Sequence, residues 1–349
     1  MADPAYLILY RELRNAITEG IYPYGSKLPS KRTLALDHGL SLVTVEHAFQ
    51  ILSDEGYIET RERSGCYVVY RSSEVFTVKE QDTLVLPPAE PSSREKLSFP
   101  LYARTVRRVL SIYGDRLLDR SPADGCLILR QALAAYLARS RSIRVLPEQI
   151  LIASGAEHCY SLLVQLFGRD KCFGLEDPSY QKIRQIYEAG GAACELLEMG
   201  PDGIRSQALK KTRAGVLHVT PYNSYPSGVT ASASKRAEYV RWAASHNAYI
   251  IEDDYDSEFT LSSKAEDTLF SLSTEGRVIY LNTFSRTLAP SVRAAYMVLP
   301  KALIQKYRQR IGFYSCSVPV LDQYLLAELL HSGDFERHLN RVRRRLRRT

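Results

Sequence analysis

Hydrophobic residues recur with helical spacing near the start of the chain. Within residues 5–19, Tyr6, Tyr10, Leu13 and Ile17 would share one face of a helix, and the charged residues would lie off that face. The pattern predicts a first amphipathic helix.

Two further helices are predicted directly afterwards. Ser30 can cap a short helix over residues 31–38, which would end before Gly39. Ser41 can cap a third helix over residues 42–55. Two short helices joined by a glycine-containing turn are typical of a helix-turn-helix.

Two strand-like runs, YIETR and CYVVY, follow the third helix and predict a hairpin, which would form a wing. Residues 73–98 contain prolines, serines and mixed charges without sustained periodicity, and so predict an interdomain linker. We therefore expect a DNA-binding domain over residues 1–72 and a second domain over residues 99–349.

The second domain alternates helical stretches with short apolar runs. This alternation is typical of a mostly parallel sheet that is buried on both faces, so we expect an α/β fold. The apolar runs are QILIA, KCFGL, GVLHV, AYIIE, RVIYL and AYMVL.

Composition excludes several other classes of protein. Hydrophobic residues make up 45% of the 349 residues and charged residues 24%, which argues against fibrous, disordered and membrane-embedded chains. Neither a long apolar segment nor an N-terminal signal is present in the sequence, so we expect no membrane association and a cytoplasmic location. The six cysteines are scattered and lack the spacing of metal ligands. The sequence therefore predicts no metal site.

The net charge of +7 is unevenly distributed. Residues 341–348 hold six arginines, whereas residues 1–76 hold eight basic and ten acidic residues. Overall charge therefore gives no argument for DNA binding by the first domain. The arginine-rich end is either a nucleic-acid tail or a helix that docks through Leu339, Val342 and Leu346, and the helical spacing favours docking.

The segment KLPSKRTLALDHGLSLVTVEHAFQILSDEGYIETRERSGCYV resembles the winged helix-turn-helix of the GntR superfamily. The resemblance implies a double-stranded DNA operator, with the N-terminus of the third helix in the major groove. It differs in one respect, because the family usually has an arginine where this chain has Leu42. Alternatively, the polar candidates only cap helices or face solvent. The candidate DNA contacts are Lys31, Arg32, Val43, Thr44, His47 and Gly65.

Two later segments, IIEDDYDSEF (250–259) and YLNTFSRTLAPSVRAAYMVLP (280–300), resemble the cofactor-binding elements of fold-type-I aminotransferases. The resemblance is specifically to the MocR-type regulators, which join such a domain to a GntR-type winged helix. It implies a site for pyridoxal 5'-phosphate. Asp253 would pair with the pyridinium nitrogen and Tyr255 with the phenolic oxygen of the ring.

The same resemblance implies the remaining cofactor contacts. The phosphate would be held by helix N–H groups and by two side chains, and an aromatic ring would stack on the pyridine. These positions are Ala156 and Glu157 (N–H groups), Thr283 and Arg293 (phosphate), Tyr180 (stacking) and Asn223 (a polar ligand).

Arg286 occupies the position at which the family has the lysine that forms a Schiff base with the cofactor. A guanidinium stays protonated and is a poor nucleophile, so we expect pyridoxal 5'-phosphate to bind non-covalently, if it binds at all. The resemblance also implies a C-terminal subdomain, which we expect residues 99–349 to lack.

These observations lead to a DNA-binding transcriptional regulator with a degenerate, non-catalytic aminotransferase-like effector domain. By resemblance it would be a homodimer, with pyridoxal 5'-phosphate or an amino acid as its effector. Two alternatives remain. One is a working aminotransferase with an accessory DNA-binding module, and the other is a DNA-binding protein whose α/β domain only dimerises.

Overall fold

A computed structural model describes residues 4–61, 64–71, 96–259 and 267–347. The chain divides into two compact units, Met1–Ala89 and Glu90–Thr349. Most of the predicted linker, residues 73–95, lies outside the described residues. Its last residues pack on the second unit, since the backbone N–H of Leu97 donates to the carbonyl of Leu288.

The first unit is a three-helix core with a two-stranded antiparallel hairpin. Leu9 completes the buried face of the first helix, whereas Tyr6 is only half-buried and stacks on His47. The elements are α1 (Ala5–Thr18), α2 (Lys31–Asp37), α3 (Leu42–Asp54), β1 (Ile58–Arg61) and β2 (Gly65–Val68).

Hydroxyl caps fix the starts of α2 and α3. Ser30 Oγ accepts from the N–H of Thr33 and Ser41 Oγ accepts from the N–H of Thr44, each at 3.1 Å. Gly39, with φ of +63°, makes the turn after α2 in the left-handed region that favours glycine. The predicted helix-turn-helix is therefore confirmed.

The second unit is a sheet covered by helices. Its helices are α4 (Phe99–Tyr113), α5 (Leu127–Ser140), α6 (Ala156–Phe167), α7 (Gln181–Ala189), α8 (Ser206–Lys211), α9 (Ala233–Ser245), α10 (Leu269–Leu272), α11 (Phe284–Thr287), α12 (Lys301–Arg310), α13 (Val320–His331) and α14 (Asp334–Leu346). Short 3₁₀ segments lie at Gly114–Leu118, Pro147–Gln149 and Ser257–Phe259.

The sheet has eight strands in the order β3-β10-β9-β8-β7-β4-β5-β6. All six predicted apolar runs are strands, whereas β5 and β6 were not predicted. Neighbours from β9 to β5 pair in parallel, and β10 runs antiparallel to both β3 and β9. The strands are β3 (Ile150–Ala153), β4 (Phe173–Asp177), β5 (Cys194–Gly200), β6 (Gly203–Ile204), β7 (Val216–Val219), β8 (Tyr249–Asp253), β9 (Val278–Thr283) and β10 (Ala295–Val298).

Both faces of the sheet are buried, as predicted. Ile279 and Leu281 of β9 pack in one apolar cluster, and Val278 and Tyr280 pack in two others. Alternate residues of a strand point to opposite faces, so helices cover β9 on both sides. No helix in the described ranges is long and apolar enough to span a membrane.

The arginine-rich end docks on the second unit through α14. Leu339 and Val342 are buried and Leu346 is partly buried, all in the cluster that also contains residues of α5 and α13. Arg343 Nε donates to the carbonyl of Glu258 at 2.6 Å. The apolar stripe predicted from the sequence is therefore a packing face, and the arginines surround it.

We expect Leu339→Ala to destabilise the second unit by about 2–5 kcal/mol, because it would leave a cavity at a side chain that is 2% exposed. The check is denaturant unfolding of the full chain, with Arg344→Ala as the control because that side chain is exposed. An equal effect of the two substitutions would contradict the docking of α14.

Candidate functional sites

A cavity of 290 Å³ lies at the carboxyl edge of the sheet. β8 ends there at Asp253 and β9 at Thr283, and α6 begins there at Ala156, shortly after β3. Open α/β sheets bind ligands at this edge. The described residues that line the cavity are Ala156, Glu157, Tyr160, Tyr180, Ile183, Thr220, Tyr225, Asp253, Tyr255, Thr283, Ser285 and Arg293.

Seven of the eight predicted cofactor residues line this cavity, and Asn223 does not. A larger cavity of 790 Å³ lies against α4, α13 and α14 and includes none of the predicted residues. The chemistry-bearing side chains therefore gather at the smaller cavity.

Asp253 is the most constrained group at the cavity. Its carboxylate is 2% exposed, and its Oδ2 accepts a hydrogen bond from the hydroxyl of Tyr160 at 2.5 Å. Its Oδ1 is buried and accepts no hydrogen bond from any described residue. A buried carboxylate oxygen without a donor costs free energy, so this atom is prepared to accept a hydrogen bond from a ligand.

A buried tyrosine–histidine pair lies behind Asp253. The hydroxyl of Tyr187 is 2.7 Å from His218 Nδ1, and His218 Nε2 is 3.4 Å from Asp253 Oδ2, without hydrogen-bond geometry. Nearby, burial raises the pKa of Glu176 to about 8, and its carboxyl accepts from the hydroxyl of Ser224. These contacts fix the strand ends around the carboxylate.

The opposite end of the cavity suits an anion. The first N–H groups of α6 have no partner within the helix, and the N-terminal end of a helix is electropositive. Gly155, with φ of +88°, lets Arg293 approach this end, because a Cβ there would lie 2.9 Å from Arg293 Nη2. A side chain at position 155 would therefore fill the space that the guanidinium uses.

Glu157 adds a negative charge at the same end. Lys182 Nζ lies 2.9 Å from its Oε1 and Arg293 Nη2 lies 3.3 Å from its Oε2. The hydrogen bond from Lys182 lowers the pKa of this carboxyl, which stays ionised. Lys182 and Arg293 together carry two positive charges against the one negative charge of Glu157, so this end of the cavity has a net positive charge.

Tyr255 and Asn223 are linked to each other. The hydroxyl of Tyr255 donates to the backbone carbonyl of Asn223 at 3.1 Å, while the Asn223 amide donates to Asp256 Oδ2 at 2.5 Å. Burial raises the pKa of Tyr255 to about 12, so its hydroxyl keeps its proton. Tyr180 is 38% exposed at the cavity wall, and its ring meets that of Tyr225 edge-on.

Arg286 is not among the described residues that line the cavity. Its Nε donates to Asp256 Oδ1 at 3.0 Å, and its guanidinium lies 5.2 Å from the centre of the Phe259 ring. The side chain at the expected lysine position is therefore held by an ion pair and an aromatic ring. The lining contains no lysine among the described residues.

Sequence analysis missed five residues of the lining: Tyr160, Ile183, Thr220, Tyr225 and Ser285. Two of them had a usable signal. Tyr160 lies one helical turn after Ala156, and Ser285 lies two residues after Thr283 in the same motif. Ile183 lies on α7, Thr220 directly follows β7 and Tyr225 lies in a later turn, and no periodicity predicts that these segments meet at the cavity.

The predicted DNA contacts lie on α2, α3 and the hairpin. Arg32 is exposed, and Lys31 Nζ lies 3.6 Å from Glu46 Oε1. Val43 is 74% exposed at the start of α3, where the hydroxyl of Thr44 lies 2.7 Å from that of Ser41.

The two other predicted contacts have structural partners of their own. The rings of His47 and Tyr6 stack at 4.1 Å between centroids. Gly65 opens β2 opposite Arg61, and a Cβ at this position would lie 2.7 Å from the Lys27 side chain. Glycine at position 65 therefore leaves room for the side chain of Lys27 to pack against the backbone of β2.

The donors and acceptors at the cavity fit a phosphorylated pyridine. A protonated ring nitrogen would satisfy the orphaned Oδ1 of Asp253, and the positive end at α6 would take a phosphate. The described lining residues include no lysine amine for covalent attachment. The residues therefore suit non-covalent binding of such a cofactor.

Comparison with known proteins agrees with both units. Residues 5–68 match the gntR family of bacterial regulatory proteins, and residues 115–349 match aminotransferase class I and II. An archaeal alanine:glyoxylate aminotransferase has a similar structure, with a TM-score of 0.63 and 26% identity, over 68% of this chain and 61% of its own.

Two regulators resemble the chain over nearly its whole length. An uncharacterized HTH-type transcriptional regulator of Bacillus subtilis, YdeL, is 32% identical over 98% of this chain and 76% of its own. The HTH-type pyridoxine biosynthesis transcriptional regulator PdxR of Corynebacterium glutamicum is 29% identical over 96% and 75%. The chain therefore belongs to the MocR-type family of transcriptional regulators, in which a GntR helix-turn-helix domain is joined to an aminotransferase class I and II domain.

Proposed function

We propose that this regulator binds a double-stranded DNA operator as a cytoplasmic homodimer and senses pyridoxal 5'-phosphate, or a close relative of it, without covalent attachment. The observation that carries the effector proposal is the orphaned, buried Oδ1 of Asp253 at a cavity with a positive far end. The Corynebacterium glutamicum relative is named as a regulator of pyridoxine biosynthesis, which is consistent with such an effector.

Four residues have a definite task at the ring in this proposal. Asp253 accepts a hydrogen bond from the protonated pyridine nitrogen, and the hydroxyl of Tyr255 turns from the carbonyl of Asn223 to donate to the phenolic oxygen. Tyr180 stacks on the ring. Asn223 acts through Tyr255, whose hydroxyl it holds with its backbone carbonyl.

The phosphate lies at the start of α6 in this proposal. The N–H groups of Ala156 and Glu157, the hydroxyl of Thr283 and the guanidinium of Arg293 hold it. Lys182 supports the site indirectly, because it compensates the charge of Glu157. When bound, the cofactor would supply an electron-withdrawing ring, and the protein supplies orientation and charge.

Arg286 argues against a working aminotransferase. A guanidinium held at 3.0 Å by Asp256 neither attacks an aldehyde nor takes up a proton near neutral pH. The formed cavity, in turn, argues against a second unit that only dimerises, because a dimerisation scaffold has no need of a buried carboxylate oxygen that lacks a donor among the described residues. The proposal is therefore a ligand-binding effector unit.

DNA binding is assigned to the first unit. The start of α3 would enter the major groove and present Val43 and Thr44, with His47 one turn later. Lys31 and Arg32 would face phosphates, and Gly65 would let the hairpin approach the backbone. The second unit would transmit the state of its cavity to paired half-sites.

We expect reversible binding of one pyridoxal 5'-phosphate per chain, with no covalent bond, because no lysine lines the described cavity. The check is native mass spectrometry, followed by borohydride reduction and an intact mass under denaturing conditions. The native spectrum should show the complex and the reduced, denatured chain should keep its own mass.

Arg286→Lys is the matched control for this experiment, since it restores an amine at one position. It should gain the mass of one reduced cofactor at residue 286. A stoichiometric adduct on a lysine of the unchanged chain would contradict the non-covalent proposal, and so would the absence of any complex in the native spectrum.

We expect Lys31→Ala combined with Arg32→Ala to weaken operator binding and to flatten the dependence of log K on log salt by about 2, since two phosphate contacts are removed. The measurement is fluorescence anisotropy of a labelled operator over a salt series. Lys210→Ala with Lys211→Ala removes an adjacent basic pair from α8 and should leave the slope unchanged. Equal slopes for both double variants would place the interface elsewhere.

A further inference from the structure

Two aliphatic side chains stand exposed at the start of α3. Leu42 is 42% exposed and Val43 is 74% exposed, although the core of this unit takes its side chains from the other face of the same helix. The buried residues of α3 are Val45, Ala48, Phe49 and Leu52. Leu42 and Val43 therefore contribute little to the packing of the first unit.

The position of the pair matters more than its exposure, since single exposed apolar residues are normal. Leu36 and Ile21 of this unit are 83% and 66% exposed without being adjacent to another such side chain in sequence. Leu42 and Val43 are consecutive and directly follow the cap residue Ser41. In helix-turn-helix proteins, this end of the recognition helix contacts base edges.

An aliphatic side chain can neither donate nor accept a hydrogen bond. It therefore cannot recognise the hydrogen-bond donors and acceptors by which most base pairs are distinguished in the major groove. The one apolar group on the base edges of the major groove is the C5-methyl of thymine. A leucine at position 42 also gives up the bidentate guanine contact that an arginine there could make. The preference at that position should shift from guanine to thymine.

We propose that Leu42 and Val43 are specificity residues that read thymine methyl groups in the operator. This inference rests on the proposed DNA-binding function and deepens it. Thr44, which is held by Ser41, keeps the start of the helix in place beside them. The occupant of this apolar surface is therefore DNA with thymine at the bases opposite the start of α3.

The test begins with selection of a tight-binding duplex from a random double-stranded DNA pool by the full chain. Each thymine of the selected site is then replaced, one at a time, by deoxyuridine, which lacks only the methyl group. At one or more positions the dissociation constant should rise about fourfold, the factor expected when one methyl group loses its apolar contact.

Leu42→Ala and Val43→Ala provide the second arm. At the sensitive position, at least one of them should bind the thymine and uracil duplexes equally, because the side chain that contacts the methyl is gone. Leu36→Ala removes an exposed leucine of α2 and should keep the fourfold ratio. All three side chains are exposed, so circular dichroism should show an unchanged fold.

Two results would overturn the inference while leaving DNA binding intact. One is specific binding that no uracil substitution weakens, and the other is a thymine preference that survives in both alanine variants. A chain that selects no duplex at all would overturn the proposed DNA-binding function, and the inference with it. Loss of a protein–protein interaction alone in the two variants would assign the pair to a protein partner instead.

Discussion

The carboxylate of Asp253 is buried at the end of the central strand β8, and one of its two oxygens has a donor while the other has none among the described residues. Burying a charge with an unsatisfied acceptor is costly, and the surrounding groups restrain the side chain without removing that cost. The hydroxyl of Tyr160 holds the carboxylate by a hydrogen bond, and His218 packs close to the same oxygen. The ends of β8, β9 and α6 are arranged around this one acceptor.

The proposed function assigns ligand binding to residues other than Arg286. In the proposed binding mode Asp253 would contact the ring and Arg293 the phosphate, and both line the cavity, whereas Arg286 is not among the described lining residues. Arg286 instead forms an ion pair with Asp256. The carboxylate of Asp256 also accepts a hydrogen bond from the amide of Asn223, whose backbone carbonyl accepts from the hydroxyl of Tyr255. Under the proposed function, an arginine at position 286 leaves the lining of the cavity intact and makes the site one that binds its ligand without covalent attachment.

The sequence predicts the helices and strands that have a regular hydrophobic pattern. It does not predict features that depend on contacts between residues distant in sequence. The six apolar runs became strands because full burial requires continuous apolar sequence, while β5 escaped prediction since it lies near the sheet edge and most of its residues are only partly buried. The antiparallel direction of β10 cannot be read from its composition. The pairing of Arg286 with Asp256 joins residues thirty positions apart, which no local pattern encodes.

The central claim is that Asp253 Oδ1 accepts a hydrogen bond from a protonated pyridine ring bound without a covalent link. Titration of the full chain into pyridoxal 5'-phosphate labelled with ¹⁵N at the ring nitrogen tests this directly by NMR. We expect a bound ring with a protonated nitrogen in the unchanged chain, and a bound but unprotonated or weakly held ring in Asp253→Asn. A bound ring whose nitrogen has the same protonation state in both proteins would contradict it.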